Sequence, residues 1–460
     1  MAVATPPAPA ADAEVAIPPA PPVETLVAAA LERSPALVVV RERLAAAREA
    51  VSAAGALPNP SLELMLQDAS FPKYTVGTAE MSMIGPEVRQ ALPFPGKRAA
   101  RRDLAQANAE MRADEFDQLR RQFIARVRTL YARLYALDQE RASLAAAREL
   151  LDMLAVTAAT RYSAGEAEYE AVVKAQLEAS RLAERSDDVS AERAALVAML
   201  NRLLDQPGAT PLGQVRQLPL AEVPAQPWET VMVNAAAEVA IQRAAVLAAE
   251  RRLSLAHLEG NPDFTGGAAV GLRGGYDPVV TLRFGVELPL WRTEKQRPMI
   301  RAAEHELELA RAELREAEAA VRADAARIQA DWQRAEQQVL RYREVIVPQT
   351  SAAVDAARTS YLVGRGDFST VIEDFRLWLE ARTQLARREA ERYGTWAELD
   401  ALLHNEDADQ APEGRTTAVS ARQPAFITDA IGDEQGRRAT TSGSTLSDPT
   451  PSSASRGGAQ

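Results

Sequence analysis

The chain has 460 residues, of which 47% are hydrophobic, 25% charged and 5% aromatic, with a formal net charge of −11. Much of the apolar share is alanine, which suits long helices better than a broad aromatic core, because alanine loses no rotamer freedom in a helix. The absence of cysteine excludes disulfides, thiolate metal sites and thiol nucleophiles and speaks against a cysteine-borne lipid anchor, while an acidic balance without a basic patch excludes nucleic acid as a natural partner.

Residues 1–22 are rich in Pro and Ala and read as a disordered linker. They carry no basic n-region and no apolar h-region, so no secretory signal peptide is visible. No stretch approaches the ~20 consecutive apolar residues of a transmembrane helix. After a first helix, the segment 58–95 changes character. Leu62, Leu64 and Leu66 alternate with Glu63, Met65 and Gln67, and a second alternating segment over 79–92 is broken by Gly85-Pro86. Period two gives one apolar and one polar face, which is a strand pattern.

From Lys97 to Ala164 there is neither Gly nor Pro. As one helix this run spans on the order of 100 Å at 1.5 Å per residue. Phe116, Phe123, Leu130, Leu137, Leu144 and Leu151 recur every seven residues, with Leu134 and Leu154 beside them. A seven-residue repeat keeps one seam toward a partner and predicts a left-handed coiled coil. A second uninterrupted run covers 166–206.

The later part follows the same order. A helical run over 228–259 precedes strand-like segments over 261–291, where Leu282, Phe284, Val286 and Leu288 alternate with Thr281, Arg283, Gly285 and Glu287. The partner segment 263–273 sets Phe264, Ala268, Val270 and Leu272 opposite Thr265, Gly267, Gly271 and Arg273. The run 299–363 is interrupted only by Pro348, which should kink or end the helix there. A last helix is expected from about 367 to 403. From 405 to 460 the chain is rich in Ser, Thr, Gly, Asp and Arg and reads as a disordered tail.

The two parts match each other. Tyr162, Gly165, Tyr169 and Val172 correspond to Tyr361, Gly364, Phe368 and Val371 at one constant offset. Asn59-Pro60 corresponds to Asn261-Pro262, and Leu92-Pro93-Phe94 to Leu288-Pro289-Leu290. The organisation expected is a first repeat over 23–210, with strands in 59–94, and a second over 226–404, with strands in 261–291. If the strands cross a bilayer, four cannot close a barrel and lipid tolerates no open edge, so several chains must share one. If they do not, the strands are hairpins on the side of a soluble or peripheral coiled-coil scaffold, a reading that the missing signal peptide favours.

The residues Leu57-Pro58-Asn59-Pro60-Ser61-Leu62 and Gln90-Ala91-Leu92-Pro93-Phe94-Pro95-Gly96-Lys97-Arg98, with Arg161-Tyr162-Ser163-Ala164-Gly165 and its repeat Ser360-Tyr361-Leu362-Val363-Gly364, resemble the TolC-like outer-membrane efflux proteins over about 23–404. The resemblance implies a mainly α fold with a small β part. A long coiled-coil α-barrel would carry four transmembrane β-strands per chain, and three chains would share a twelve-stranded barrel. It implies a homotrimer in the outer-membrane lipid with its tunnel in the periplasm, serving as the exit duct of a tripartite efflux system. The partners would be a periplasmic adaptor (membrane fusion) protein and an inner-membrane RND-type pump. The Pro-Asn-Pro and Phe-Pro-Gly-Lys-Arg contexts look most like the heavy-metal-cation branch.

By the same resemblance, Tyr162, Gly165, Tyr361, Gly364 and Arg365 mark the hairpin tips that meet the adaptor, and Asp367, Thr370 and Glu373 fall at the pore constriction. The family's tip arginine position carries Gly366 here, with Arg365 one residue away. Glu166, Glu168 and Glu170 could with Asp367, Glu373 and Asp374 form an acidic entrance for cations, although acids at a helix start also serve the helix dipole. No catalytic triad, P-loop or dinucleotide fingerprint is visible, so no enzyme and no cofactor is expected. His257, His305 and His404 lack metal-ligand spacing, and Met65, Met81 and Met83 read as ordinary apolar positions rather than soft-metal ligands, so no metal site is expected.

Overall fold

The computed structural model describes residues 19–68, 80–221, 223 and 228–403. The tail expected over 405–460 and all but the last four residues of the linker expected over 1–22 lie outside the described residues.

Two short helices open the described chain, α1 (Val23–Arg33) and α2 (Pro35–Ala54). Ser34 separates them in an extended conformation, φ −60° and ψ 120°. The cause is Pro35, whose ring disfavours helical geometry in the residue before it. Strands β1 (Ser61–Gln67) and β2 (Met83–Leu92) follow, and then α3 (Lys97–Ser163), a single helix of 67 residues. Its start is set by Gly96, at φ 95°, a conformation open to glycine. The helix α4 (Tyr169–Leu203) returns beside it.

The later part repeats the order. Helices α5 (Trp228–Ala235) and α6 (Ala237–Leu258) are split at Ala236, φ −63° and ψ 124°, the conformation of Ser34 at the matching place. Then come β3 (Asp263–Arg273), β4 (Tyr276–Glu287), α7 (Arg297–Arg341), α8 (Val347–Leu362) and α9 (Phe368–Leu403). The expected interruption at Pro348 takes a specific form. A π turn over Tyr342–Ile346 precedes it, and a second π turn over Arg292–Gln296 precedes Pro298. Proline lacks the N–H of the regular ladder and crowds the carbonyl one turn back, so a turn with i→i+5 bonds just before it absorbs the misfit without ending the rod. No single helix among the described residues is long and apolar enough to cross a membrane.

The seven-residue seam of α3 is where the helices meet. Phe123, Leu130, Leu137, Leu144 and Leu151 are buried, as are Leu134 and Leu154. The lower part of this seam packs with Val354, Tyr361, Phe368, Val371 and Phe375 of α8 and α9. The upper part packs with Val23, Leu26 and Leu37 of the first helices and Leu200 of α4. Each fully buried leucine contributes roughly 1.5–3 kcal/mol. At mid-height Asp138 is fully buried and fixes the segment after α4: it accepts from Arg193 Nε at 2.7 Å and from the Val215 N–H at 2.8 Å.

The four strands form one antiparallel sheet in the order β1-β2-β3-β4. The pairs Leu62↔Val88, Leu92↔Phe264 and Ala268↔Leu282 fix a register that gathers the apolar side chains on one face. On that face Leu62, Leu64, Val280, Leu282 and Phe284 are 66–88% exposed. The opposite face carries Glu63, Glu87, Arg89 and Arg283, joined by ion pairs of 3.2–3.4 Å. Gly85 sits on this second face because its neighbour leaves no room, a Cβ there lying 1.7 Å from the Val270 carbonyl oxygen.

Strands and helices join through a buried lysine. Lys97 is 2% exposed; its Nζ lies 2.9 Å from Asp263 and 3.5 Å from Glu259, and donates to the Asn261 carbonyl at 2.9 Å. Burying an ammonium is tolerable only when paired and hydrogen-bonded, as here. The contact ties the start of α3 to the chain entering β3.

Candidate functional site

The residues that the sequence marks as tips come from the two Gly-containing reversals, α3 to α4 and α8 to α9. Both helices end in the same way. The Glu166 N–H donates to the Arg161 carbonyl at 2.9 Å and the Gly165 N–H to that of Tyr162 at 3.0 Å. In the second reversal Arg365 donates to Ser360 at 2.9 Å and Gly364 to Tyr361 at 3.1 Å. These are Schellman terminations, which need a left-handed residue just past the helix. Gly165, φ 74°, and Gly364, φ 76°, supply it. In each reversal an aromatic before the glycine meets one after it, Tyr162 with Tyr169 at 5.4 Å and Tyr361 with Phe368 at 5.2 Å between ring centres.

The two ends differ in burial. Tyr162 and Tyr169 are exposed, whereas Tyr361 and Phe368 are each 3% exposed. Tyr361 and Phe368 belong to the core cluster with Leu154, Ala158 and Ala171, and Arg161, whose counterpart in the other half is Ser360, adds a contact to Tyr361. Arg161 Nη1 donates to the Tyr361 carbonyl at 2.6 Å, and its guanidinium lies 4.9 Å from the Tyr361 ring centre. Its Nη2 donates to the Glu166 carbonyl at 3.4 Å. Burial pushes the Tyr361 hydroxyl above its ordinary range against the opposing charge of Arg161, and its Oη has no hydrogen-bond partner among the described residues.

Two further contacts join α4 to α9 just above the turns. Lys174 Nζ donates to Ser369 Oγ, and Glu178, buried on α4, accepts from Arg376 of α9. The Arg376 guanidinium is held above its ordinary range chiefly by that hydrogen bond. Arg161, Glu166, Lys174, Tyr361, Asp367 and Ser369 therefore surround one depression between the hairpins.

The expected constriction residues lie on the same end but do not form a cluster within one chain. Asp367 caps α9, its Oδ2 accepting from the Ser369 N–H at 3.1 Å. Thr370 and Glu373, one turn apart on α9, are exposed, as is Arg365. Arg161, Lys174 and Glu178 were not singled out by sequence reasoning. The available signal for Arg161 was the unequal pair Arg161 and Ser360 at matching places in two otherwise similar motifs. No group of three or more His, Cys, Asp or Glu that could hold a metal occurs among the described residues.

A family model described as "Outer membrane efflux protein" matches residues 26–204. Among solved structures, the chain is similar to the outer membrane protein VceC from Vibrio cholerae, with a TM-score of 0.69 at 17% identity over 83% of this chain and 95% of that one. It is similar to the outer-membrane channel OprN, TM-score 0.72 at 17% identity over 83% and 89%, and to CusC, TM-score 0.72 at 14% identity over 83% and 91%. This is the TolC-like channel fold. No curated protein matches the chain. At these identities the likeness to the structures is one of fold: mainly α, with long coiled-coil helices and four strands per chain. The matching family model, VceC and OprN are each described as outer-membrane proteins.

Proposed function

We propose that three copies of this chain form a passive exit duct across the outer membrane. The observation that carries the reading is the sheet. One face of all four strands is apolar and exposed, the other is charged and ion-paired, and β1 and β4 each leave an open edge. An apolar face beside unsatisfied edge groups is at home in lipid only when the edges are paired, and four strands are too few to close alone. Three sheets give the twelve strands that the resemblance to TolC-like proteins implies. The ion-paired face then lines the lumen, and the long helices continue the wall as a tunnel of roughly 100 Å.

In this reading residues 23–210 and 226–404 are two duplicated staves. The chain does no chemistry, and an inner-membrane RND-type pump supplies the energy through a periplasmic adaptor. Tyr162, Gly165, Tyr361, Gly364 and Arg365 form the adaptor-facing end, and Asp367, Thr370 and Glu373 narrow the pore when three copies meet. Opening separates the α8–α9 end from the α3–α4 end, which Arg161 holds together. Heavy-metal cations are the substrate class suggested by the Pro-Asn-Pro and Phe-Pro-Gly-Lys-Arg contexts.

The test is the oligomeric state of the protein extracted by detergent from a membrane fraction, measured by light scattering corrected for detergent. A trimer from the outer membrane supports the duct. A monomer or dimer that needs no detergent ends it. Substrate class is tested separately, by whether deletion of the gene lowers tolerance to divalent metals rather than to neutral organic toxicants.

A further inference from the structure

The apolar face of the sheet continues past the end of β4. Leu288, Leu290 and Trp291 are 59%, 73% and 68% exposed. Directly beyond come Arg292, Lys295 and Arg297, all exposed, with Glu294 the one acid among them. The junction after β2 has the same layout: exposed Leu92 on the apolar face, then exposed Arg98 and Arg102.

None of these five cations has a carboxylate partner among the described residues. Arg98 Nε donates to the Gly55 carbonyl at 3.0 Å and Arg292 Nη2 to the Gly260 carbonyl at 2.8 Å. Their neighbours Lys97 and Arg101, by contrast, are paired with Asp263 and Glu259. The first turn of α3 holds no acid, and Asp263 and Glu259, which face its start, are engaged by Lys97 and Arg101, so Arg98 and Arg102 have no carboxylate of their own. A tryptophan at the rim of an apolar band, followed by Arg and Lys, is the composition found at the level of lipid headgroups.

We propose that these two junctions are a docking surface for anionic phospholipid headgroups of the periplasmic leaflet. Trp291 sits at the acyl boundary, and Arg98, Arg102, Arg292, Lys295 and Arg297 face the phosphodiesters. The inference rests on the membrane-channel reading, since it is the exposed apolar sheet that sets the level of the bilayer. Charge complementarity and continuity with the lipid-facing band decide for a lipid surface over a protein partner.

The full-length protein is incorporated into phosphatidylcholine vesicles with and without phosphatidylglycerol, re-extracted, and its retained lipid counted by mass spectrometry. Wild type should retain phosphatidylglycerol over phosphatidylcholine. The variant R102Q/K295Q/R297Q should lose that preference by at least about fivefold, the factor one interfacial cation contributes, while R102K/R297K keeps it. High salt should weaken the preference of the wild type, a readout that needs no variant. Equal retention of the two lipids, a preference unmoved by the glutamine substitutions, or one that survives high salt overturns the proposal. Displacement of the lipid by millimolar inorganic phosphate also overturns it, because that marks a simple anion site. Wild type that does not form a trimer refutes the channel reading instead, whatever lipid it retains.

Discussion

Arg161 at the foot of α3 donates to the backbone carbonyl of Tyr361 at the foot of α8 and covers its ring at 4.9 Å. One side chain thus holds the ends of two hairpins by a charge-assisted hydrogen bond and a cation–π contact. Together such contacts contribute on the order of 2–4 kcal/mol when largely desolvated. The variant R161A should leave the trimer intact and raise the fraction of time that single channels in planar bilayers conduct. R161K, which keeps charge but not the fork, should fall between. Conductance identical to wild type would remove the latch from the mechanism.

Gly364 tests the turn itself. A β-branched side chain at φ 76° is strained by about 1–2 kcal/mol, and its Cβ would lie 3.4 Å from Arg161 Nη2. G364V should impair export while trimers still form. G165A meets nothing within 4 Å and should cost only the backbone strain. Loss of the trimer in G364V would contradict the placement of Gly364 at the tip.

Lys97 governs the joint between helices and sheet. Replacing it with alanine removes the cation of Asp263, while Glu259 keeps Arg101. Removing one partner of a buried pair costs about 3–5 kcal/mol, and the partial exposure of the two acids lowers this to roughly 2–4. K97A should therefore lower the temperature at which the trimer dissociates on heating in detergent. K97R is the control that keeps charge but not volume.

The Tyr135 hydroxyl donates to Glu389 at 2.6 Å, and Arg343 pairs with the same carboxylate. Burial, with that hydrogen bond, raises the Tyr135 hydroxyl far above its ordinary value of 10. The folded protein then holds a proton that the unfolded chain releases, so this contribution is complete below pH ~10 and is lost as pH rises beyond it. Y135F should lose about 1 kcal/mol at neutral pH and show a shallower decline in alkali. Burial raises Tyr393 in the same direction, so some decline should remain. Melting curves from pH 8 to 11 would reveal either result.

The elements were legible in sequence where a single period dominates. The heptad leucines of α3 and the alternation of Phe284 with Arg283 and Gly285 depend only on which face a residue occupies, and that follows from local geometry. Breaks were less legible. Ala236 adopts the conformation of Ser34 without a following proline, and the π turn before Pro348 is a three-dimensional accommodation that residue preferences do not encode. Gly165 and Gly364 were readable as turn glycines because only a left-handed residue completes the termination. Arg161 was not, because its partner is a backbone carbonyl on a helix distant in sequence.

The two edges of the sheet are chemically different strands, β1 and β4, and neither can satisfy itself. In the proposed ring of three copies each β4 meets the next chain's β1, a head-to-tail arrangement that leaves no edge bare. Closure of the proposed barrel would then obey mass action, the shared barrel forming above a threshold concentration and dissociating below it. A substitution along Ser61–Gln67 or Tyr276–Glu287 would accordingly be felt as a change in how much protein a cell must make before any channel appears.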